Sequence, residues 1–539
     1  MQALMQDFPL TLHLVVRRCL QIGATAEVVS VSPSGTDRRT WADVGRRSLL
    51  VGAMLERLGV APGGRVGTFA WNSHRHVELF LGVPSSGRVV HPSNVRLGVE
   101  QILELMAHAG DEVLFVDASL TADLAGVRGR LPVGECVVMD DGGPIDPAFA
   151  DCPLYERLLA DIAPGSALTN VGENDAAWLC YTSGTTGMPK GVVASHRSAV
   201  LHSMSSMTVD SHAISADDVV LPATPMFHAN AWGLPYTCAM AGATLVLPGR
   251  ETTPGALARL INEHAVTVVA GVPTVLGRLV ESLHSGVGLP SLQRVLCGGA
   301  APPPVLLAAL AAGGIEVVVG WGMTEMSPSG TSRHLAPGEA LPAPASSSTA
   351  VGRPTPGVEL RLVGGSGEEL AWDGVAVGEL EARGPWVIRA YLDPDDDSNE
   401  RRFHDGWLRT GDLARIRPEG DVELVDRAKD VIKSGGEWVS SLELERLIGT
   451  HPNVNQVAVV ACSDERWGER PVAVIVAAGA VGPSREEIAA FLDGRVPRWW
   501  IPDHCVVVAE IPTTATGKHD KQRLRRDVAA MALVNEGER

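Results

Sequence analysis

The sequence predicts an α/β protein, with a large N-terminal domain of parallel-sheet lobes plus a β lobe and a small C-terminal α+β domain. The chain has 539 residues, too many for one hydrophobic core. Continuous apolar runs alternate with helical patterns through much of it, and a glycine-rich segment precedes a compact final unit. We therefore expect domains at 1–427 and 428–539, with the boundary near residues 427–430.

The middle of the chain carries the pattern of a parallel sheet. The strand candidates are AAWLCY (176–181), DVVLPATP (218–225), ATLVLP (243–248), VTVVAGVP (266–273), RVLCGGA (294–300) and EVVVGWG (316–322). These runs are continuous rather than alternating, and helix-like segments separate them, which indicates a sheet covered on both faces. In such sheets ligands bind at the carboxyl ends of the strands.

The other regions differ in composition. The first 170 residues resemble the middle lobe, and residues 358–427 are rich in strand-like pieces such as VELRLV and VGELEAR. In the final unit, strand candidates such as QVAVVAC accompany helices predicted to begin at Ser440 and Ser484. A Glu follows each serine three residues later, as in a capping box.

Composition restricts the function. The net charge of −18 argues against nucleic-acid binding, which depends on clustered Lys and Arg. The eight cysteines form no C-x-x-C pair, and no apolar run is long enough for a transmembrane segment, so we expect a cytoplasmic protein.

Only five of the 45 basic residues are lysine, and each is a candidate for a function that Arg cannot perform. They are Lys190, Lys429, Lys433, Lys518 and Lys521.

YTSGTTGMPKG, from Tyr181 to Gly191, has the composition of a phosphate-binding loop without the spacing of a Walker A motif. Its backbone N–H groups and hydroxyls can turn toward one anion, and its lysine adds a positive charge. A flexible linker is disfavoured, because a candidate strand precedes the loop and Pro189 lies within it. The predicted phosphate ligands are Thr182, Ser183, Gly184, Thr185, Thr186, Gly187 and Lys190.

Further motifs follow in order along the chain. They are MFHANAWG (226–233), GGAAP (298–302), GWGMTE (320–325), TGD (410–412), DRAKDVIKSGGEW (426–438) and TTATGK (513–518). Together with the loop they resemble the motifs of adenylate-forming enzymes, most strongly those of bacterial medium- and long-chain fatty acyl-CoA ligases. The resemblance covers essentially the whole chain. It implies an acyl-CoA synthetase-like fold whose C-terminal domain is mobile.

The resemblance implies a nucleotide site in the large domain. There Thr324 contacts the α-phosphate, Glu325 and Thr182 hold Mg²⁺, and Asp412 binds the ribose. The remaining implied nucleotide ligands are Gly298, Gly299, Ala300, Gly320, Trp321, Gly322 and Arg427. This chain departs from the family at Trp321, where Tyr is usual, and at Val319, where a polar residue is frequent.

The C-terminal motifs imply a second group of residues. Lys429 corresponds to a hinge, and Lys518 to a lysine that enters the site during adenylation, whereas Lys521 is interpreted as a surface residue. After rotation, nucleotide and CoA would meet Lys433, Gly435, Gly436, Glu437 and Trp438. The candidate catalytic residues are Lys518, Lys433, Glu325 and Lys190.

His228 and Trp232 resemble the acyl-pocket entrance of fatty acyl ligases, although both can also be interpreted as core residues. The implied reaction uses ATP, Mg²⁺ and CoA: an acid forms an acyl adenylate, and the CoA thiol then displaces AMP. Transfer to an amine or a carrier-protein thiol is an alternative, and an inactive nucleotide-binding scaffold is a third. A homodimer is expected only from the resemblance.

Overall fold

A computed structural model describes residues 4–163, 168–182, 189–284, 286–337, 350–393, 395–513 and 519–536. The helices are α1 (His13–Ile22), α2 (Trp41–Arg57), α3 (His74–Ser85), α4 (Val99–Ala109), α5 (Thr121–Ala125), α6 (Tyr155–Ala160), α7 (His196–Ser206), α8 (Ala229–Trp232), α9 (Leu234–Ala241), α10 (Pro254–Glu263), α11 (Pro273–His284), α12 (Pro304–Ala312), α13 (Ser398–Arg402), α14 (Ser441–Ile448), α15 (Arg485–Leu492) and α16 (Lys521–Glu536). The strands are β1 (Glu27–Ser32), β2 (Gly35–Thr40), β3 (Arg65–Phe69), β4 (Val89–Pro92), β5 (Asp111–Asp117), β6 (Glu135–Met139), β7 (Ala176–Tyr181), β8 (Gly191–Ser195), β9 (Val219–Pro222), β10 (Thr244–Leu247), β11 (Val268–Gly271), β12 (Arg294–Cys297), β13 (Glu316–Trp321), β14 (Thr331–Leu335), β15 (Ala350–Pro354), β16 (Glu359–Val363), β17 (Glu369–Leu370), β18 (Gly378–Arg383), β19 (Phe403–His404), β20 (Trp407–Ile416), β21 (Val422–Arg427), β22 (Ile432–Ser434), β23 (Glu437–Val439), β24 (Val454–Asp464), β25 (Gly468–Ala477) and β26 (His504–Val508).

The N-terminal lobe contains a sheet of six strands in the order β6-β5-β3-β4-β7-β8. All neighbours are parallel except β7 and β8. AAWLCY is a strand, as predicted, but it belongs to this sheet rather than to the middle one. The reason is tertiary: Trp178 on β7 lies opposite Val90 on β4.

The second sheet has a parallel centre, β1-β10-β9-β11-β12-β13, and antiparallel strands on both sides. The first hairpin of the chain completes it, because β1 pairs with β10. Through β14, β15 and β21 the same sheet continues into the antiparallel β lobe, which is therefore not a separate sheet. Helices α10, α11 and α12 bury apolar side chains against the parallel part.

The C-terminal unit is a small α+β structure, in agreement with the predicted fold class. Its sheet runs β23-β22-β25-β24, with β26 beside β25, and its core includes side chains from α14 and α15. Ser440 and Ser484 cap α14 and α15 as predicted, and Ser484 forms the complete capping box with Glu487.

The segment around Lys429 connects the two sheets, since β21 ends at Arg427 and β22 begins at Ile432. Nearby, the buried Asp426 carboxylate accepts hydrogen bonds from the Ser441 backbone N–H (2.6 Å) and hydroxyl (2.8 Å). The domain bounds 1–427 and 428–539 stay a prediction. Within the part of the chain that the structure describes, no helix is long and apolar enough to cross a membrane. The eight cysteines are free thiols.

Candidate functional site

A cavity of about 240 Å³ opens where β12 and β13 end. Strand-end glycines from two motifs line it, together with residues on both sides of the phosphate loop. The predicted site residues in its lining are Thr182, Lys190, His228, Trp232, Gly298, Gly299, Gly320, Trp321, Gly322, Thr324, Glu325 and Arg427. Residues from five separated motifs thus meet at the carboxyl ends of parallel strands, where the sequence predicts a ligand.

Asp412 joins two of these residues behind the cavity wall. One carboxylate oxygen accepts a hydrogen bond from the Trp321 indole N–H at 2.8 Å, and the other lies 3.0 Å from Arg427 Nε. This negative charge raises the pKa of Arg427. The T-G-D motif lies within β20 rather than in a turn, because the register of β20 with β21 places Asp412 opposite Arg427. Trp321, which stands where the family usually has Tyr, is therefore held in place by Asp412, the residue predicted to bind the ribose.

Glu325 lies on a short 3₁₀ turn, Thr324–Met326, that begins three residues after β13 ends at Trp321. It is buried, and its Oε1 accepts a hydrogen bond from the Tyr391 hydroxyl at 2.7 Å. Burial, and then the Glu325 carboxylate, raise the pKa of Tyr391, so the phenol stays a hydrogen-bond donor. Tyr391 was not identified from the sequence. It lies 66 residues from Glu325, in a segment without a motif.

The donor set fits Mg²⁺. Glu325 keeps a second carboxylate oxygen, and the Thr182 hydroxyl lines the same cavity. Among the described residues no group of three or more His, Cys, Asp or Glu is placed to hold a metal. Magnesium is typically bound through one or two carboxylates plus phosphates and water, so a sparse protein donor set suits it.

The ends of the phosphate loop are tied together. Thr182 N–H donates to the Lys190 carbonyl at 2.9 Å, and Lys190 N–H donates to the Thr182 hydroxyl at 3.1 Å. The predicted ligands Ser183, Gly184, Thr185, Thr186 and Gly187 lie outside the described residues.

Lys190 Nζ forms an ion pair with Asp396, a residue that the sequence analysis missed. Burial would raise the pKa of Asp396, but hydrogen bonds from Lys190 and from the Ser398 N–H lower it to about 2. The ion pair is therefore present at neutral pH. The acidic run Asp393–Asp397 is a visible signal, yet nothing in the sequence shows which of its carboxylates meets the lysine.

The segment after His228 is a single left-handed helical turn. The φ angles of Ala229, Asn230, Ala231 and Trp232 lie between +42° and +59°. Each non-glycine residue in this region costs about 1–2 kcal/mol, so surrounding contacts must hold the turn. The indole of Trp232 packs on Gly298, where an added Cβ would lie 3.4 Å from it. Trp232 is buried and His228 is partly buried, and both line the cavity.

The C-terminal candidates lie elsewhere. Lys433, Gly435, Gly436, Glu437 and Trp438 form the exposed β22–β23 hairpin, outside the cavity lining. Both glycines have positive φ (61° and 87°), as a tight hairpin turn requires.

The remaining candidates complete the comparison with the sequence analysis. Lys429 is exposed in the connecting turn, and Ala300 is exposed outside the cavity lining. Lys518 lies outside the described residues. The interpretation of Lys521 as a surface residue is wrong. Its Nζ lies 2.8 Å from Glu445 Oε1 and donates to the Ser441 hydroxyl, so it supports the C-terminal unit.

Two family models and several known proteins match this chain. A family model described as AMP-binding enzyme matches residues 21–392, and a second, AMP-binding enzyme C-terminal domain, matches residues 443–518. The chain is 42% identical to 3-methylmercaptopropionyl-CoA ligase of Ruegeria pomeroyi, with coverage of 96% of this chain and 98% of that protein. It is 40% identical to medium-chain-fatty-acid–CoA ligase of Ectopseudomonas oleovorans, with 96% of each chain covered. The solved amide bond synthetase McbA from Marinactinospora thermotolerans is 26% identical, with a TM-score of 0.82 and coverage of 95% and 99%.

Proposed function

Since the chain belongs to the AMP-binding enzyme family and is an AMP-forming ligase, we propose that it converts a carboxylic acid, ATP and CoA into acyl-CoA, AMP and pyrophosphate. One observation carries the proposal. A single cavity joins a lysine and hydroxyls suited to phosphate with the partly apolar surface around Trp232, and the Asp412 carboxylate, suited to a ribose, lies behind its wall where it holds Trp321 and Arg427. Nucleotide and acid can therefore lie side by side.

In the first step, the acid's carboxylate attacks the α-phosphorus and pyrophosphate leaves, giving an acyl adenylate. The nucleophile is already ionised, so the step depends on alignment and charge stabilisation rather than on a base. Lys190 would stabilise the departing pyrophosphate once it leaves Asp396, and Lys518 would supply a second positive charge. When bound, Mg²⁺ would neutralise phosphate charge, and Glu325 and Thr182 are the residues that would hold it.

In the second step, the CoA thiol attacks the acyl carbon and AMP leaves. The Lys433–Trp438 hairpin faces solvent here, so its predicted role needs a different domain arrangement. Rotation near Lys429 would supply it and would separate Asp426, before the hinge, from Ser441, after it. We propose that the described arrangement and a rotated one serve different steps.

One comparison supports an amine as the alternative acceptor, because an amide bond synthetase shares the fold at 26% identity. Two relatives at 40% identity or more are CoA ligases, which favours CoA.

The test is a pyrophosphate-release screen over carboxylic acids with the full chain. Products formed with CoA and with amines are then identified by mass spectrometry. We expect acid-dependent pyrophosphate release and an acyl-CoA product. An amide product without thioester would replace CoA by an amine, and pyrophosphate release with no acid would contradict the proposal.

A further inference from the structure

The cavity extends inward from the nucleotide end along one face of the sheet. Leu296 on β12 and Gly298 directly after that strand line it, as do Val318 and Gly320 on β13. Alternate residues of a strand point to the same face, and two residues span about 6–7 Å. The inner part of the cavity therefore has the aliphatic side chains of Leu296 and Val318 on its sheet side.

His212 lies at the inner end of the cavity. Its carbonyl accepts a hydrogen bond from Arg294, the first residue of β12, at 3.4 Å. The preceding carbonyl, of Ser211, lies 2.7 Å from His334 Nε2, and His334 pairs with Val318 across β13 and β14. His212 thus lies where β12 begins, whereas the nucleotide residues lie where the strands end, and its ring lines the cavity.

The ring nitrogens of His212 make no hydrogen bonds within the described part of the chain. Nδ1 of His212 is buried without a hydrogen-bond partner. Nε2 also makes no hydrogen bond to the described residues and is not fully buried, so it is the ring nitrogen that a ligand in the cavity can reach. Burial, with His334 and Arg294 adding to it, lowers the pKa of His212 to about 4. The neutral imidazole offers one donor and one acceptor, and a buried polar group left unpaired costs about 1–3 kcal/mol.

The two hydroxyls that line the cavity near its inner end, those of Ser329 and Thr331, are already paired. The hydroxyl of Ser329 lies 3.1 Å from His202 Nε2, and the hydroxyl of Thr331 donates to a backbone carbonyl at 2.6 Å. Arg294 is neutralised by Glu316 at 3.0 Å. No described Lys or Arg side chain lines this end, so a charged group here would have no counter-charge.

We infer that the acid has a short chain ending in an uncharged hydrogen-bonding group, such as a hydroxyl or an amide, which pairs with His212. The inference rests on the proposed function, because it takes the acid's carboxylate to lie near Gly320 beside the nucleotide. His212 is then a specificity-determining residue. It favours such acids over alkyl acids of equal length.

The experiment compares isosteric acids in acid-dependent pyrophosphate release by the full chain. Each alkyl acid from butanoate to octanoate is paired with the ω-hydroxy acid in which the hydroxyl replaces its terminal methyl. We expect the best hydroxy acid to exceed its alkyl partner in kcat/KM by about ten-fold, the value of one buried hydrogen bond. His212→Leu should reverse the preference, and His212→Gln should retain part of it.

His264→Leu is the matched control, because His264 also has an unpaired buried Nε2 but lies beside Arg38, outside the cavity lining. It should leave the preference unchanged. Equal or better use of alkyl acids by the unmodified chain would overturn the inference while leaving the proposed function standing. An unchanged preference in His212→Leu would also overturn it. Absence of pyrophosphate release with every acid would instead refute the proposed function itself.

Discussion

The cavity of the large domain and the β22–β23 hairpin of the C-terminal unit differ in how they hold their predicted site residues. In the cavity wall, Trp321 and Glu325 are buried and hydrogen-bonded to Asp412 and Tyr391, partners from distant parts of the chain. On the hairpin, Lys433 and Trp438 are exposed. The first group is preorganised by packing, whereas the role predicted for the second requires a movement.

The largest expected effect concerns Lys518. Lys518→Ala should reduce acid-dependent pyrophosphate release by about 100- to 1,000-fold, because a charge that stabilises the transition state is lost. Thioester formation from supplied acyl adenylate should be largely retained. Lys518→Arg, which keeps the charge, should lose less than the alanine variant. Equal loss in both half-reactions would contradict the hypothesis that Lys518 acts only in the adenylation step.

The next effect tests the hairpin. Gly436 has φ of +87°, which proline cannot adopt, so Gly436→Pro should reshape the hairpin and slow thioester formation by about 100-fold. Adenylation should change little. Gly367→Pro is the matched control, since Gly367 has φ of +88° and equally open surroundings in the large domain. If both half-reactions slow together in Gly436→Pro, the hairpin does not have a role confined to the second step.

A third prediction concerns pH and the stability of the large domain. Burial lowers the pKa of His76 from 6.5 to about 4. Below pH 6.5 the unfolded chain binds a proton that the folded chain does not. The stability contributed by neutral His76 is therefore present above pH 6.5 and is lost as the pH falls toward 4.

The loss amounts to about 1.4 kcal/mol per pH unit for one such histidine. Urea titrations at several pH values between 6.5 and 4 should show a slope smaller by this amount in His76→Gln than in the unmodified chain. Other titrating groups cancel in this difference. Equal slopes in His76→Gln and the unmodified chain would refute the burial effect.

The smallest effect concerns the ion pair of Lys190. Asp396→Asn should free the lysine for phosphate and lower KM for ATP by about two- to five-fold, the range of a partly exposed ion pair. Asp395→Asn, an exposed change of the same charge on the same loop, should leave KM unchanged. A raised KM for ATP in Asp396→Asn would show that the carboxylate assists nucleotide binding instead of competing for Lys190.

Local chemistry made much of the site predictable. Strand-forming runs followed by glycines identify where a backbone can approach a ligand, and Gly298 and Gly320 lie at such strand ends. The serines that begin α14 and α15 were also predictable, because a cap involves only residues three apart. The resemblance of the motifs then placed His228, Trp232 and Glu325 at one site.

By itself the sequence determined the fold class and the order of the motifs, and it predicted a site for phosphate and a carboxylate, since these depend on neighbouring residues. Only the tertiary structure decided that AAWLCY joins the N-terminal sheet, that Lys521 pairs with Glu445, and that Asp396 forms an ion pair with Lys190. It also decided that His212 lines the inner end of the cavity. The physical reason is the same each time: contacts between residues far apart in the chain depend on how the strands pair and pack.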